Sequence, residues 1–333
     1  MIGLIGNGSW ATALAKLLTT NNNKICWWMR NEAAVQHLEE KGHNEQYLSA
    51  VEFDRELIFP TTNLEEVISQ CKVLVLCIPS AYLLEVVDRI PKEALKGKQI
   101  VSAVKGILPE HHQLLQEYLV DRFDFDLNQY FAITGPCHAE EVAQERLSYL
   151  TFSGVEASEA AGIASLFETP FLRTTCNNDL WGSQYAAVLK NIYAVGSGIA
   201  HGLGYGDNFL SVYITNCYGE MYRFLKFHFY DKNPDSLKPD FHTAAYLGDL
   251  LVTCYSLHSR NRSFGNLLGK GYRVSDAKLE MNMVAEGYYA ARGMKEVLKS
   301  IPVKMPILNI IYQMLWEHKI PKNGFKEIEH LLS

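Results

Sequence analysis

A chain of 333 residues, 48% hydrophobic and 20% charged, is ordinary globular material, and at about 150 residues per domain it predicts two domains. The net charge of -6 excludes a general electrostatic pull toward nucleic acid or an anionic membrane. Any anion site must therefore be a local cluster of Lys, Arg and backbone N–H groups.

The first apolar run, Ile2 to Ile5, leads directly into Gly6-Asn7-Gly8-Ser9-Trp10-Ala11 and then the helical pattern TALAKLL. This is G-x-G-x-x-A between a strand and a helix. Gly6 suits a tight turn, Gly8 lets a pyrophosphate approach the backbone, and Ala11 allows close packing of helix on strand. The helix N-terminus then offers N–H groups and a positive dipole end to phosphates. The second strand, Ile25 to Trp28, ends in Trp27-Trp28-Met29-Arg30-Asn31, where a strict NAD enzyme carries Asp or Glu. Arg30 can accommodate a 2′-phosphate, the alternative being a solvated surface arginine.

Next, TTNLEEVISQC has Thr62 and Glu65 at capping-box spacing and predicts a helix. Further strands are predicted at Val73 to Ile78, Ile100 to Val104, Tyr130 to Ile133 and Tyr149 to Ser153, with longer mixed segments between them. That alternation describes βαβ units and a mainly parallel sheet over residues 1–177. From residue 178 to 333 helical patterns take over: Trp181 to Ala200, Ser211 to Phe227, Ala244 to Tyr255, Val284 to Leu298 and Ile307 to His318. The polar, Pro-broken stretch over residues 229–242 predicts a surface loop.

Lys190 lies in the first of these helices among apolar and small residues, with Ala186 and Ala194 one turn to either side. Burial lowers a lysine's pKa toward the range useful for acid-base work, whereas a surface lysine merely snorkels. Gly196, Gly198, Gly202, Gly204 and Gly206 follow and suit close approach to another backbone or a ligand. Later, Gly248-Asp249 opens an apolar helical run, and Ser259-Arg260-Asn261-Arg262 comes after it. Ser259 is a good N-cap, which places Arg260 and Asn261 in a first turn beside free N–H groups. Such a turn is either a phosphate site with Arg as its fork or a solvated helix start.

Other chemistries find little support. The seven cysteines, Cys26, Cys71, Cys77, Cys137, Cys176, Cys217 and Cys254, are scattered, odd in number and without a C-x-x-C pair. They suit reduced cytosolic thiols better than a disulfide framework. Cys137 and His138 are adjacent, and adjacent side chains rarely face one another as nucleophile and base. His43 has no Cys or His partner nearby in sequence, and His111-His112 reads as polar helix surface, so no metal site is expected. The start MIGLIGNGSW lacks a positive n-region, and every apolar run falls short of about 18 residues, so neither export nor a membrane span is expected.

Taken in order, IGNGSWATALA, CIPSAYLLEVV, AVKGI, ITGPCHAEEVA, LKNIYAVGSGIAHGLGYGDN, GDLLVTCYSLHSRNRSFG and MVAEGYYAARG make the chain resemble the bacterial-type NAD(P)-dependent glycerol-3-phosphate dehydrogenase family. The resemblance implies a doubly wound α/β Rossmann domain followed by an all-helical domain like that of 6-phosphogluconate dehydrogenase. It implies that Ser9, Trp10, Arg30, Lys105, Ala139, Arg260, Val284 and Glu286 contact NAD or NADP. Lys105, Gly135, Cys137, Lys190, Asp249, Ser259, Arg260 and Asn261 would surround dihydroxyacetone phosphate or glycerol 3-phosphate. Lys190 would be the proton donor and acceptor, Asp249 would orient or charge it, and no metal would be needed. A cytoplasmic homodimer supplying phospholipid synthesis is also implied. Three departures stand out: Ala11 where the family usually has Gly, Cys137-His138 where it has Ser or Thr then Phe, and a longer segment between Lys190 and Asp249. Competing readings are another NAD(P)-dependent hydroxyacid dehydrogenase or reductase of the same scaffold, and a non-catalytic dinucleotide sensor.

Overall fold

The computed structural model describes residues 1–227, 240–281 and 285–333. The chain forms two compact units, residues 1–104 with 115–180, and residues 105–114 with 181–333.

The first unit alternates strands and helices: β1 (Ile2–Ile5), α1 (Ser9–Thr20), β2 (Ile25–Trp28), α2 (Glu32–Lys41), β3 (Ile58–Thr61), α3 (Leu64–Gln70), β4 (Val73–Leu76), α4 (Ser80–Val87), β5 (Gln99–Ser102), α5 (Leu115–Phe123), β6 (Tyr130–Thr134), α6 (Ala139–Ala143), β7 (Ser148–Ser153), α7 (Ala157–Ala164) and β8 (Leu172–Asn177). The strands form one sheet in the order β3-β2-β1-β4-β5-β6-β7-β8. Every pairing is parallel except β6 with β7. The order reverses at β1, so the crevice at the carboxyl ends of β1 and β4 is a topological switch point, where such sheets bind ligands.

Central strands are buried on both faces and read as unbroken apolar runs; β1 and β2 are buried at every residue. The edge strands β3 and β8 are not anticipated by the sequence reading. β3 contains Pro60, which has no N–H for a ladder and is tolerated because β3 lies at the edge. β8, Leu-Arg-Thr-Thr-Cys-Asn, has one buried residue and hence no apolar signature. The α3 cap also differs from expectation: Asn63, not Thr62, is the N-cap, its side chain accepting from the N–H groups of Glu65 and Glu66. Thr62 instead donates to Glu32 Oε2 at 3.0 Å. His111 and His112 lie in a turn rather than on a helix, and His112 has φ 55, outside the helical region. His43 does have a histidine near it in sequence, against expectation: the ring of His37, in α2, meets it edge-on at 4.9 Å.

The second unit contains α8 (Leu180–Gly202, from the last residue of the first unit), α9 (Asp207–Leu225), α10 (Asp249–Tyr255), α11 (Arg260–Gly269), α12 (Val274–Glu280), α13 (Glu286–Val297), α14 (Pro306–Trp316) and α15 (Pro321–Glu329). A π turn, Ala244–Gly248, leads straight into α10, so Gly248 continues a helix rather than starting one. The loop expected over residues 229–242 lies outside the described residues up to 239. The glycines of α8 serve packing between helices. A Cβ on Gly198 would stand 2.0 Å from the Arg262 carbonyl oxygen, and one on Gly265 would stand 1.9 Å from that of Val195. Helices α8 and α11 thus touch backbone to backbone.

Candidate active site

In the first unit the β1–α1 turn has two glycines with opposite surroundings. Gly6 has φ +122, and a Cβ there would lie 2.3 Å from the Cys77 carbonyl oxygen, so no other residue fits against the end of β4. A Cβ on Gly8 would meet nothing within 4 Å. That open space sits at the N-terminus of α1, where backbone N–H groups and the helix dipole favour a phosphate. Ser9 and Trp10 begin α1, and Ala11 is fully buried beneath them. Asn44 holds the turn from outside: its Nδ2 donates to the Asn7 carbonyl at 3.0 Å and to Thr12 Oγ1 at 2.9 Å. Asn44 lies in an irregular segment, and no motif marks it.

Arg30 is exposed just beyond β2. The side chain of Asn31 is committed to capping α2, accepting from Ala33 N at 2.9 Å. A residue beyond the acid-free stretch, the Glu32 carboxylate accepts the Thr62 bond described above. The open cradle at Gly8, the dipole of α1 and the arginine at the end of β2 fit a dinucleotide. Gly135, at φ +112, follows β6, and buried Cys137 leads to Ala139, the first residue of α6. His138 precedes α6 without making a side-chain cap bond.

In the second unit Lys190 is 5% exposed and Asp249 is 1% exposed. The Lys190 ammonium donates to Asp249 Oδ1. Burial pushes the lysine pKa down from 10.5 to about 8, the Asp249 carboxylate opposes that fall, and the nearby Lys105 ammonium adds to it. Thr253, one turn along α10, donates to the Asp249 backbone carbonyl at 2.6 Å.

Two buried amides join the surrounding elements. Asn191 Nδ2 donates to the Lys105 carbonyl at 3.1 Å, and Asn191 Oδ1 accepts from Asn261 Nδ2 at 2.9 Å. Asn261 Oδ1 in turn accepts from Gly287 N at 2.9 Å, one residue past Glu286 at the start of α13. The segment carrying Lys105, the Lys190 helix, α11 and the start of α13 are thereby held in one network. Ser259 caps α11 by accepting from Arg262 N at 3.3 Å, so Arg260 is its first residue. Sequence reasoning missed Asn191, whose only signal was its place beside Lys190, and Thr253. Val284 lies outside the described residues. Among the described residues, no group of three or more His, Cys, Asp or Glu could hold a metal ion.

A dinucleotide cradle in one unit and, in the other, a buried lysine able to give or take a proton near neutral pH are the parts of a dinucleotide-dependent oxidoreductase. Comparison with known proteins narrows the class. The family described as NAD-dependent glycerol-3-phosphate dehydrogenase matches with its N-terminal part over residues 1–160 and its C-terminal part over residues 179–326. Glycerol-3-phosphate dehydrogenase [NAD(P)+] of Chlorobium chlorochromatii is 34% identical over 322 residues, covering 96% of this chain and 94% of the relative. The Bacillus subtilis protein of the same name is 34% identical over 316 residues, covering 95% and 90%. The crystal structure of glycerol-3-phosphate dehydrogenase from Coxiella burnetii superposes with a TM-score of 0.89 at 26% identity, covering 98% of each chain. This chain belongs to the NAD-dependent glycerol-3-phosphate dehydrogenase family.

Proposed function

We propose that the chain catalyses the reversible reduction of dihydroxyacetone phosphate to sn-glycerol 3-phosphate with NADH or NADPH. The observation that carries the reading is the buried Lys190–Asp249 pair, with its lysine pKa brought to about 8, in a chain of this family. When bound, the dinucleotide supplies a hydride to the carbonyl carbon. Lys190, as an ammonium, donates a proton to the carbonyl oxygen as negative charge develops there, and its neutral amine takes the proton back in the oxidative direction. Asp249 keeps the lysine charged and aimed. This electrostatic stabilisation calls for no metal.

Arg260, at the capped start of α11, grips the substrate phosphate with the second N–H of Asn261, whose other amide groups bind Asn191 and Gly287. Ser259, Lys105, Gly135 and Cys137 complete the substrate's surroundings. Gly6, Gly8, Ser9, Trp10, Ala11, Arg30 and Ala139 serve the dinucleotide, with Lys105, Arg260, Val284 and Glu286. Binding the phosphate, remote from the reacting carbon, lets binding energy align the carbonyl. Residues 1–177 carry most of the dinucleotide contacts and residues 178–333 the catalytic pair and the phosphate grip, and the enzyme works as a cytoplasmic homodimer that feeds glycerophospholipid synthesis. No helix among the described residues is long and apolar enough to cross a membrane.

Loss of near-ultraviolet absorbance of the reduced cofactor on adding dihydroxyacetone phosphate tests the reading. Unphosphorylated dihydroxyacetone serves as control. Turnover only with the phosphate ester supports it; cofactor binding without turnover of either would identify a dinucleotide sensor instead.

A further inference from the structure

None of the seven free cysteines is a proton carrier in this mechanism, and two of them sit against each other. Cys26 is the second residue of β2, and Cys71 directly follows the last residue of α3. In the β1–β2 ladder Cys26 is the direct partner of Gly3, so the two positions share one face of the sheet. A Cβ built on Gly3 would stand 3.2 Å from the Cys71 Cβ. The missing side chain at Gly3 is thus what lets Cys71 settle onto the sheet beside Cys26. The two thiols make a side-chain hydrogen bond. They are 1% and 0% exposed. Lys98 Nζ donates to the Cys71 carbonyl at 3.0 Å, placing an ammonium next to the pair.

From this pairing we infer that Cys26 and Cys71 are an oxidation site, a dithiol that a small neutral peroxide converts to an intramolecular disulfide. Both sulfurs lie beneath the surface, so bulky thiol reagents do not reach them in the folded chain, and the oxidant inferred is accordingly small and uncharged. Cys71 is the attacking sulfur: its bond with Cys26, aided by the Lys98 charge, pulls its pKa below the usual thiol value against the effect of burial. The same bond, and then burial, push Cys26 well up, so it stays a thiol. The Cys71 thiolate attacks one peroxide oxygen, the O–O bond breaks, and the departing hydroxide takes up a proton as water. Cys71 is then a sulfenic acid. The Cys26 sulfur attacks that of Cys71, the S–S bond forms, the S–O bond breaks, and the hydroxyl leaves with the Cys26 proton as a second water. Two thiols have given two electrons to one peroxide, and a dithiol reductant reverses the step.

The test exposes the native full chain to hydrogen peroxide, denatures it in excess alkylating agent and maps the peptides. The expected product is a peptide pair joined through Cys26 and Cys71, two hydrogens lighter than the separate thiols and released by dithiothreitol. Cys217 and Cys254 should be recovered as alkylated thiols. In Cys26→Ser, Cys71 should stop at the sulfenic acid and be captured by dimedone added with the denaturant. The proposal is overturned if Cys26 and Cys71 both return as alkylated thiols after a dose that oxidises the half-buried Cys77 and Cys176, or if either pairs with another cysteine. This mapping is made on the unmutated chain and stands whether or not the variant folds.

Discussion

Replacing Asp249 with Asn keeps the shape of the buried pair and removes its negative charge. With a pKa of about 8, Lys190 at pH 7 is ammonium in about ten molecules for each neutral one. Attraction between unit charges 4 Å apart is about 4 kcal/mol at an effective dielectric of about 20, equivalent to about three pKa units. Relaxation and water penetration reduce that figure, and we take a fall of about two units, which brings the lysine to about 6. At pH 7 the proton-donating form then drops to about one molecule in ten, so reduction of dihydroxyacetone phosphate loses up to about tenfold through protonation alone. The loss should vanish at a pH about one unit below the new pKa. The assay is kcat/KM for the reductive direction across pH 5 to 10, read from cofactor absorbance. In the unmutated protein activity should be level below about pH 8 and fall above it, while oxidation of glycerol 3-phosphate should rise up to the same pH and then level. In Asp249→Asn both breaks should move down together. A variant whose reductive profile still breaks near pH 8 would refute the electrostatic role given to Asp249.

Arg260→Lys should lose much of kcat/KM for the phosphate ester, because a point charge cannot replace a planar fork; equal losses with unphosphorylated dihydroxyacetone would show that Arg260 does something else. Arg30→Asp should weaken NADPH far more than NADH in cofactor titrations, since it removes an attraction and adds a repulsion at the 2′-phosphate, and an unchanged ratio would place Arg30 outside the ribose pocket. Gly198→Ala puts a methyl 2.0 Å from the Arg262 carbonyl oxygen and should cost about 3 kcal/mol, lowering Tm by about 6 to 12 °C; a Tm within about a degree of the original would mean α8 and α11 are not in backbone contact. Glu220, buried and accepting from Ile307 N at 2.7 Å and Leu308 N at 3.2 Å, has its carboxyl pKa raised by burial from 4.5 to about 7. The folded state therefore holds this proton more tightly than the unfolded chain, and up to about 3 kcal/mol of stability, present below pH 4.5, is lost as pH rises through about 7. Thermal melts between pH 5 and 8 should show that decline in the unmutated protein and a flatter course in Glu220→Gln; parallel courses would discount Glu220.

Much of the fold is legible in the residues because its signals are local. Ile2 to Ile5 running into Gly6 and Gly8 fixes a strand, a turn and a helix within twenty residues, and the long apolar pattern around Lys190 marks α8. The edge strands β3 and β8 escape because an edge needs no continuous apolar run and tolerates Pro60. The candidate site is legible where motif and local structure coincide: the open turn at Gly8, the burial of Lys190 and the Ser259 cap. Asn44 and Asn191 escape for a different reason: each acts through a long-range hydrogen bond, to Asn7 or to Lys105 and Asn261, that leaves no periodicity or spacing in the sequence. The pair of Cys26 and Cys71 is of the same kind, since only the sheet register and the bare Gly3 bring them together.

In the proposed function Lys190 moves the proton during reduction of dihydroxyacetone phosphate. The most direct test of that role is turnover by Lys190→Ala, with dinucleotide affinity measured on the same folded sample. Its kcat should be lower by about 10² to 10⁴, with NADH and NADPH affinities nearly unchanged. A folded Lys190→Ala protein that binds the cofactor and turns over near the original rate would contradict that role.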